Sequence, residues 1–96
     1  MYRVKMLRVS VQENRGWATL KVEGALVGPW VAELERCWQD TLVSPEQIVV
    51  DLDDLLLMDR SGRALLEVMH NSGTRLRARR PLTGYIVEQI QKQVAT

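Results

Sequence analysis

The stretch Ile48-Val49-Val50-Asp51-Leu52 is a short, continuous apolar run that follows a Ser44-Pro45 pair. Such a run is typical of a strand covered on both faces of a sheet, because neither face then alternates with polar side chains. Proline disfavours helix in the residue before it, so a helix upstream should end before Pro45. The segment therefore predicts the central strand of the fold.

Upstream of this strand, the alternation of polar and apolar residues predicts a hairpin. Residues 4–11 alternate, cleanly from Leu7 onward, and residues 18–23 alternate again. Between them, Glu13-Asn14-Arg15-Gly16 has the chemistry of a turn. We therefore expect an antiparallel pair of strands.

A helix is expected between the hairpin and the central strand, from Pro29 to about Thr41. Proline is tolerated in the first helical turn, where its missing N–H leaves no bond unmade. An apolar stripe at spacings of three and four follows it: Trp30, Val31, Leu34, Cys37 or Trp38, and Leu42. We expect these side chains, with Met58 and Met69, to build the core, whereas Trp17 begins a strand and could be exposed.

Downstream, the pattern predicts a helix, a strand and a last helix. Residues 61–72 place Leu65, Leu66, Val68 and Met69 on one side of a helix that Gly73 stops. Residues 74–80 alternate arginine with apolar residues as a strand would, and Pro81 ends the run. Apolar spacing then predicts a helix over residues 83–94.

The predicted element order is β-β-α-β-α-β-α, in a single domain over residues 1–96. Two β-α-β crossovers after a hairpin require a mixed sheet, with an antiparallel N-terminal pair, parallel later strands and helices packed on it. The predicted fold class is therefore α/β.

Composition favours an ordinary globular domain and disfavours several binding classes. The 96 residues are 46% hydrophobic and 26% charged, and the formal net charge is +1, so no overall field attracts nucleic acid or anionic lipid. The lone Cys37 has no intramolecular disulfide partner. Since the chain has no signal-like or membrane-spanning apolar stretch, we expect a cytoplasmic protein without membrane insertion. Composition does not determine the oligomeric state.

The chemistry of catalysis has little support in this sequence. His70 is the single histidine and lies nine positions after Ser61 on the same predicted helix. Nine residues rise about 13.5 Å, so the two side chains cannot form a nucleophile and base pair. One cysteine and one histidine do not make a usual zinc site, and no phosphate-binding glycine motif occurs. We therefore expect a binding protein and not an enzyme, with no cofactor or metal.

An acidic set follows the central strand: Asp51, Asp53, Asp54 and Asp59. Carboxylates at strand ends can hold Mg²⁺ or accept a phosphoryl group. The alternative is a solvated loop in which Asp59 caps the next helix through the N–H of Ser61 or Gly62.

An arginine set also invites two interpretations, since Arg75, Arg77, Arg79 and Arg80 would form one positive edge. Nucleic-acid binding is disfavoured because the nearby aromatic residue is Tyr85 alone, whereas single-strand binders combine basic grooves with stacking rings. Protection of a sheet edge, or binding of a protein partner, explains the same charges.

One segment carries a family resemblance. The runs Ile48-Val49-Val50-Asp51-Leu52, Met58-Asp59-Arg60-Ser61-Gly62 and Ala64-Leu65-Leu66 resemble the signature of STAS domains, the anti-sigma factor antagonists. Leu20-Lys21-Val22-Glu23-Gly24-Ala25-Leu26 is similar to the family's second strand and glycine loop. The resemblance spans most of residues 18–79 and implies a STAS-like sheet, with the arginine strand at its edge.

The resemblance also implies a function in bacterial signalling and transcription regulation. In these antagonists a serine at the position of Ser61 is phosphorylated by a kinase-type anti-sigma factor, and the phosphorylated form releases that partner. Carried over to this chain, it implies phosphorylation at Ser61 and partner binding through Asp59, Arg60, Ser61, Gly62 and Arg63. Arg60 stands where the family has its first serine.

Two alternatives accompany this implication. Small STAS proteins also serve as non-switching accessory subunits of bacterial ABC lipid transporters, where they brace the ATPase. Serine is moreover a favoured residue at helix starts without any modification, so Ser61 could be a simple capping residue.

Overall fold

The computed structural model describes residues 6–79 and 81–94, so the start of the first predicted strand and Arg80 lie outside the described residues. The described residues form four strands and three helices in the predicted order, which confirms the α/β fold class. Their bounds are β1 Leu7–Asn14, β2 Trp17–Leu26, α1 Trp30–Asp40, β3 Ile48–Met58, α2 Arg60–Asn71, β4 Arg75–Arg77 and α3 Pro81–Val94, with a short 3-10 turn at Pro45–Gln47.

The predicted hairpin is confirmed. β1 and β2 pair antiparallel without interruption, from Leu7 opposite Gly24 to Asn14 opposite Trp17. Arg15 and Gly16 join them, with φ of 53° and 84°. Two consecutive positive φ angles are what a two-residue type I′ turn needs, and its twist matches that of the strands.

The central strand is longer than predicted, because β3 continues through the acidic residues to Met58. The prediction of an acidic loop is therefore wrong. Strands β2 and β3 pair in parallel with two register shifts, one between Lys21 and Glu23 and one between Gly24 and Ala25. Cations on neighbouring strands neutralise the carboxylates, as where Lys21 Nζ lies 3.4 Å from Asp54 Oδ2.

The helices lie on one face of the sheet. The strand order is β1-β2-β3-β4, so both crossovers advance in the same direction, and right-handed connections then place α1 and α2 on the same side. Val49 on the other face is half-buried, with Thr19 and Arg75 as cross-strand neighbours. The prediction of a strand covered on both faces is therefore wrong, and one face of the sheet is polar.

The core lies between that sheet and the helices. Met69 is fully buried, and Trp30, Trp38 and Met58 pack partly buried against the core. Leu42 was expected in the core but is 92% exposed, because α1 ends at Asp40. Cys37 is half-buried.

A buried threonine joins the helical layer to the sheet edge. Thr74 Oγ1 accepts a hydrogen bond from Trp38 Nε1 at 2.9 Å and donates one to the Pro45 carbonyl at 2.8 Å. The indole N–H of Trp38 is thereby satisfied, which lets this large side chain pack against the core.

Candidate functional site

Asp59 lies at the junction of β3 and α2 and holds three groups together. Its Oδ1 accepts hydrogen bonds from the Ser61 hydroxyl and the Gly62 N–H, both at 2.8 Å. Its Oδ2 accepts a hydrogen bond from the Gly28 N–H at 2.9 Å. The predicted capping of the helix by Asp59 is confirmed, because the carboxylate satisfies a free N–H of the first turn.

The contact with Gly28 was not predicted from the sequence. It joins residues 31 positions apart, and it forms because the parallel strands β2 and β3 end at the same edge of the sheet. In the sequence, the loop bracketed by Gly24 and Gly28 before Pro29 predicts a turn, but it does not indicate which residue contacts Gly28. Gly28 adopts a φ of 55°, where an L side chain is disfavoured.

The start of α2 is fixed closely against the end of β2. The Asp59 N–H donates a hydrogen bond to the Leu26 carbonyl at 3.2 Å. A Cβ at Gly62 would overlap that same carbonyl oxygen and lie 2.9 Å from Leu26 Cγ. Gly62 is thus required by the close approach of the helix and not by an unusual φ.

Three of the five predicted partner-binding residues meet in one hydrogen-bonded cluster: Asp59, Ser61 and Gly62. Ser61 and Arg60 are both exposed. The guanidinium of Arg63 lies 3.4 Å from Glu67 Oε2, one turn further along α2, where it forms an ion pair. The cluster therefore presents a hydroxyl to solvent on a rigid helix start, with a cation at the preceding position.

Exposed apolar side chains lie further along α2 and near the end of β3. Val68 was expected on the buried side of α2 but is 49% exposed. Ala64 is exposed as well, and residues 61, 64 and 68 share one helix face because they are three and seven positions apart. Leu56 and Leu57, just before Asp59, are 69% and 43% exposed. We call Ser61, Ala64 and Val68 the α2 surface.

Hydrogen bonds set the charge state of the site. The Gly28 N–H, followed by the Gly62 N–H and the Ser61 hydroxyl, lowers the pKa of Asp59 below its ordinary value of 3.8. All three donors favour the ionised carboxylate, which has no proton to offer them. Asp59 is therefore a carboxylate at neutral pH.

The arginine set and the acidic set largely neutralise each other on the open face of the sheet. Arg77 forms an ion pair with Asp51 at 3.0 Å, and Arg79 with Asp53 at 2.7 Å. The Arg79 backbone N–H and then its side chain lower the pKa of Asp53, and that carboxylate raises the pKa of Arg79. The Arg75 guanidinium lies 5.5 Å from the ring centroid of Trp17, which is 42% exposed. These contacts give the arginines structural roles at the sheet edge.

Acid is expected to weaken the Asp59 cluster. The pKa of Asp59 is lower in the folded protein than its ordinary value of 3.8. The ionised carboxylate therefore contributes its full stabilisation above about pH 3.8. This stabilisation is lost as the pH falls through the lower pKa of the folded state. Asp59→Asn removes this contribution and sets an amide N–H against the Gly28 N–H. We expect the difference in urea midpoint between wild type and Asp59→Asn to shrink as pH falls below about 4. A difference that stays constant down to the acid limit contradicts this assignment.

Ser61→Ala is the matched control for this pH series. It removes one of the three donors and leaves both backbone N–H groups on Asp59. Most of the acid dependence seen in the wild type should therefore remain in Ser61→Ala.

Comparison with known proteins supports the fold alone. No family model matches the chain, and no curated protein matches it. A solved structure described as "Crystal Structure Analysis of Mglu" is similar to it, with a TM-score of 0.57 and 17% identity. The similarity covers 75% of this chain and 19% of that one, so the chain spans about a fifth of that protein's length. Within the described residues, no helix has the length and apolar character needed to cross a bilayer.

Proposed function

We propose that this domain is a protein-binding switch of the anti-sigma factor antagonist kind, controlled by phosphorylation of Ser61 by a kinase-type anti-sigma factor. The observation that carries the proposal is the exposed Ser61 hydroxyl at the start of α2, held by the Asp59 carboxylate, with exposed apolar side chains further along the same helix face. Anti-sigma factor antagonists and the kinase-type anti-sigma factors that they bind act in the bacterial cytoplasm. The proposal therefore places this chain in the cytoplasm.

The helix start can accept a phosphate without loss of the fold. Phosphoserine carries about −1.5 to −2 charges, which the free N–H groups and dipole of a helix N-terminus favour. The bond from Ser61 to Asp59 would be lost, since the esterified oxygen has no proton to donate. Asp59 would still accept hydrogen bonds from Gly62 and Gly28, so α2 and the loop before α1 stay anchored.

The same phosphate would oppose docking of a partner on the α2 surface. Ala64 and Val68 offer apolar area on the helix face of Ser61, and its burial favours association. A phosphate at Ser61 adds a strongly hydrated dianion beside them and next to the Asp59 carboxylate. Desolvating this phosphate in an interface costs more free energy than desolvating the neutral hydroxyl. The phosphorylated form should therefore release the partner.

Arg60 gives the proposal a feature of its own. It precedes Ser61 on an exposed helix start, where its guanidinium can reach either a phosphate on Ser61 or an acidic group of the partner. A cation at this position also partly offsets the repulsion between a phosphate and Asp59.

A second candidate is constitutive docking, as in the accessory subunit of an ABC lipid transporter that braces the ATPase. The observation that favours it is that the Ser61 hydroxyl already donates to Asp59, a structural use of the serine that needs no modification. The apolar α2 surface serves either role. The two candidates differ in whether a charge at Ser61 abolishes binding.

The phosphorylation step is tested by mapping the modified residue after the chain is purified from its source cells. We expect phosphate on Ser61 in the wild type, and none on this segment in Ser61→Ala. Ser72→Ala is the control, because Ser72 lies at the other end of α2 with its hydroxyl donating to the Val68 carbonyl at 3.0 Å. Phosphate on Ser72, or an unmodified Ser61 when the bound partner is an active kinase, contradicts the proposal.

A further inference from the structure

β1 is an edge strand of the sheet that the described residues form. Among the described residues it pairs with β2 alone, over all eight of its residues and without a register shift. Within this part of the chain, one row of the backbone N–H and C=O groups of β1 therefore has no strand partner. The strand contains no proline or glycine, and Arg8 and Glu13 are its charged residues. Long, regular edges of this kind invite pairing with another chain.

The opposite edge differs in the features that discourage pairing. β4 has three residues, two of them arginines, and Pro81 follows four residues after its end. Short length and charge are the usual means of blocking an edge. On β1, by contrast, Val11 is 49% exposed and Val9 is half-buried, on the same face as the core residues of β2. An open apolar margin thus accompanies the open β1 edge.

We propose that β1 pairs antiparallel with β1 of a second copy of this chain, centred on Ser10. Residues directly opposite each other across two paired strands point to the same face of the sheet. The helix-covered faces of the two copies therefore lie on the same side only in registers that pair odd-numbered with odd-numbered and even-numbered with even-numbered residues. In the register centred on Ser10, Val9 lies opposite Val11 of the second copy and Arg8 lies opposite Gln12. Leu7 then lies opposite Glu13. A register centred on Val11 would instead place Val9 opposite Glu13 and keep one valine pair in place of two.

Charge favours the antiparallel arrangement of two copies. In the antiparallel register centred on Ser10, Arg8 faces Gln12 and Glu13 faces Leu7, so no like charges are opposed. Parallel pairing would set Arg8 beside Arg8. A two-fold pair also closes on itself, whereas β1 joined to β4 of another copy would continue as an open fibre. The two four-stranded sheets would form one continuous sheet.

Cross-linking tests the register. Ser10→Cys, in a Cys37→Ala background, places two thiols directly opposite each other across the two-fold axis. Opposed Cα atoms lie about 4.5–5.5 Å apart, which a disulfide spans. We expect a disulfide-linked dimer under mild oxidation. Gln12→Cys is the matched control, because its two copies are displaced by four residues, about 13 Å along the strand, and should not cross-link.

Sedimentation at several concentrations tests the dimer without cross-linking. We expect a dimer fraction that rises with concentration in the wild type and in Leu42→Lys, a control at a 92% exposed position. Val11→Lys should be monomeric, because the lysines of the two copies become diagonal neighbours and repel each other. A mixture of Val11→Lys and Val11→Glu should form a dimer again, because the two charges are then opposite. Circular dichroism checks that the variants fold. A wild type that stays monomeric, a dimer unaffected by Val11→Lys, or equal cross-linking of Ser10→Cys and Gln12→Cys would overturn the proposal.

Discussion

Gly62→Ala is expected to lower the free energy of unfolding by about 1–3 kcal/mol, as overpacking against a fixed group does. The added Cβ would overlap the Leu26 carbonyl oxygen, which is also the acceptor for the Asp59 N–H. Leu26 is fully buried, so it cannot move aside without disturbing the core. The start of α2 must then shift away from β2. That shift strains the hydrogen bonds of Asp59 to Gly62 and Gly28.

Gly84→Ala is the matched control for this substitution. Gly84 lies in α3, where a Cβ would meet the Ala78 carbonyl oxygen at 3.4 Å, a contact that small adjustments relieve. Alanine is favoured over glycine inside a helix by about 1 kcal/mol, so Gly84→Ala should be neutral or stabilising. Urea unfolding followed by tryptophan fluorescence measures both variants. Equal stability of Gly62→Ala and wild type would show that the helix start is not fixed against β2.

Val68→Asp is expected to weaken partner binding at least tenfold. Burial of a valine side chain contributes about 1.5–3 kcal/mol, and a tenfold change in affinity corresponds to about 1.4 kcal/mol. A carboxylate at this position also has to be desolvated in the interface. Because Val68 is 49% exposed in the free domain, the fold should tolerate the change.

Leu42→Asp is the control for the docking surface. Leu42 is more exposed than Val68, at 92%, but follows the end of α1 and does not belong to the α2 surface. Titration against the partner that the wild type captures should show unchanged affinity for Leu42→Asp and reduced affinity for Val68→Asp. If both variants bind as the wild type does, the α2 surface is not where the partner docks.

Local patterns in the sequence were sufficient for the element order and for the cap. Alternation and the turn residues at Arg15 and Gly16 determine the hairpin, and Asp59 precedes an amphipathic helix in the way capping residues do. These features depend on neighbours within a few positions, which is the information that periodicity and turn chemistry carry.

The features that sequence reasoning missed depend on contacts between distant segments. Asp53 and Asp54 look like loop residues, but β3 continues through them with two register shifts, and their carboxylates pair with Arg79, just after β4, and with Lys21 on β2. Gly28 reaches Asp59 only because two parallel strands end together. Val68 fits an apolar helix face by composition, yet the position of α2 against the sheet leaves it exposed.

The measurement that tests the switch most directly is a pull-down from lysate of the source cells with three tagged baits. They are the wild type, Ser61→Ala and Ser61→Asp, with bound proteins identified by mass spectrometry. We expect a kinase-type anti-sigma factor on the wild type and Ser61→Ala and its absence from Ser61→Asp, since a negative charge at Ser61 opposes docking. Recovery of the same partner by all three baits, for example a transporter ATPase, would contradict the switch and identify a constitutive docking domain.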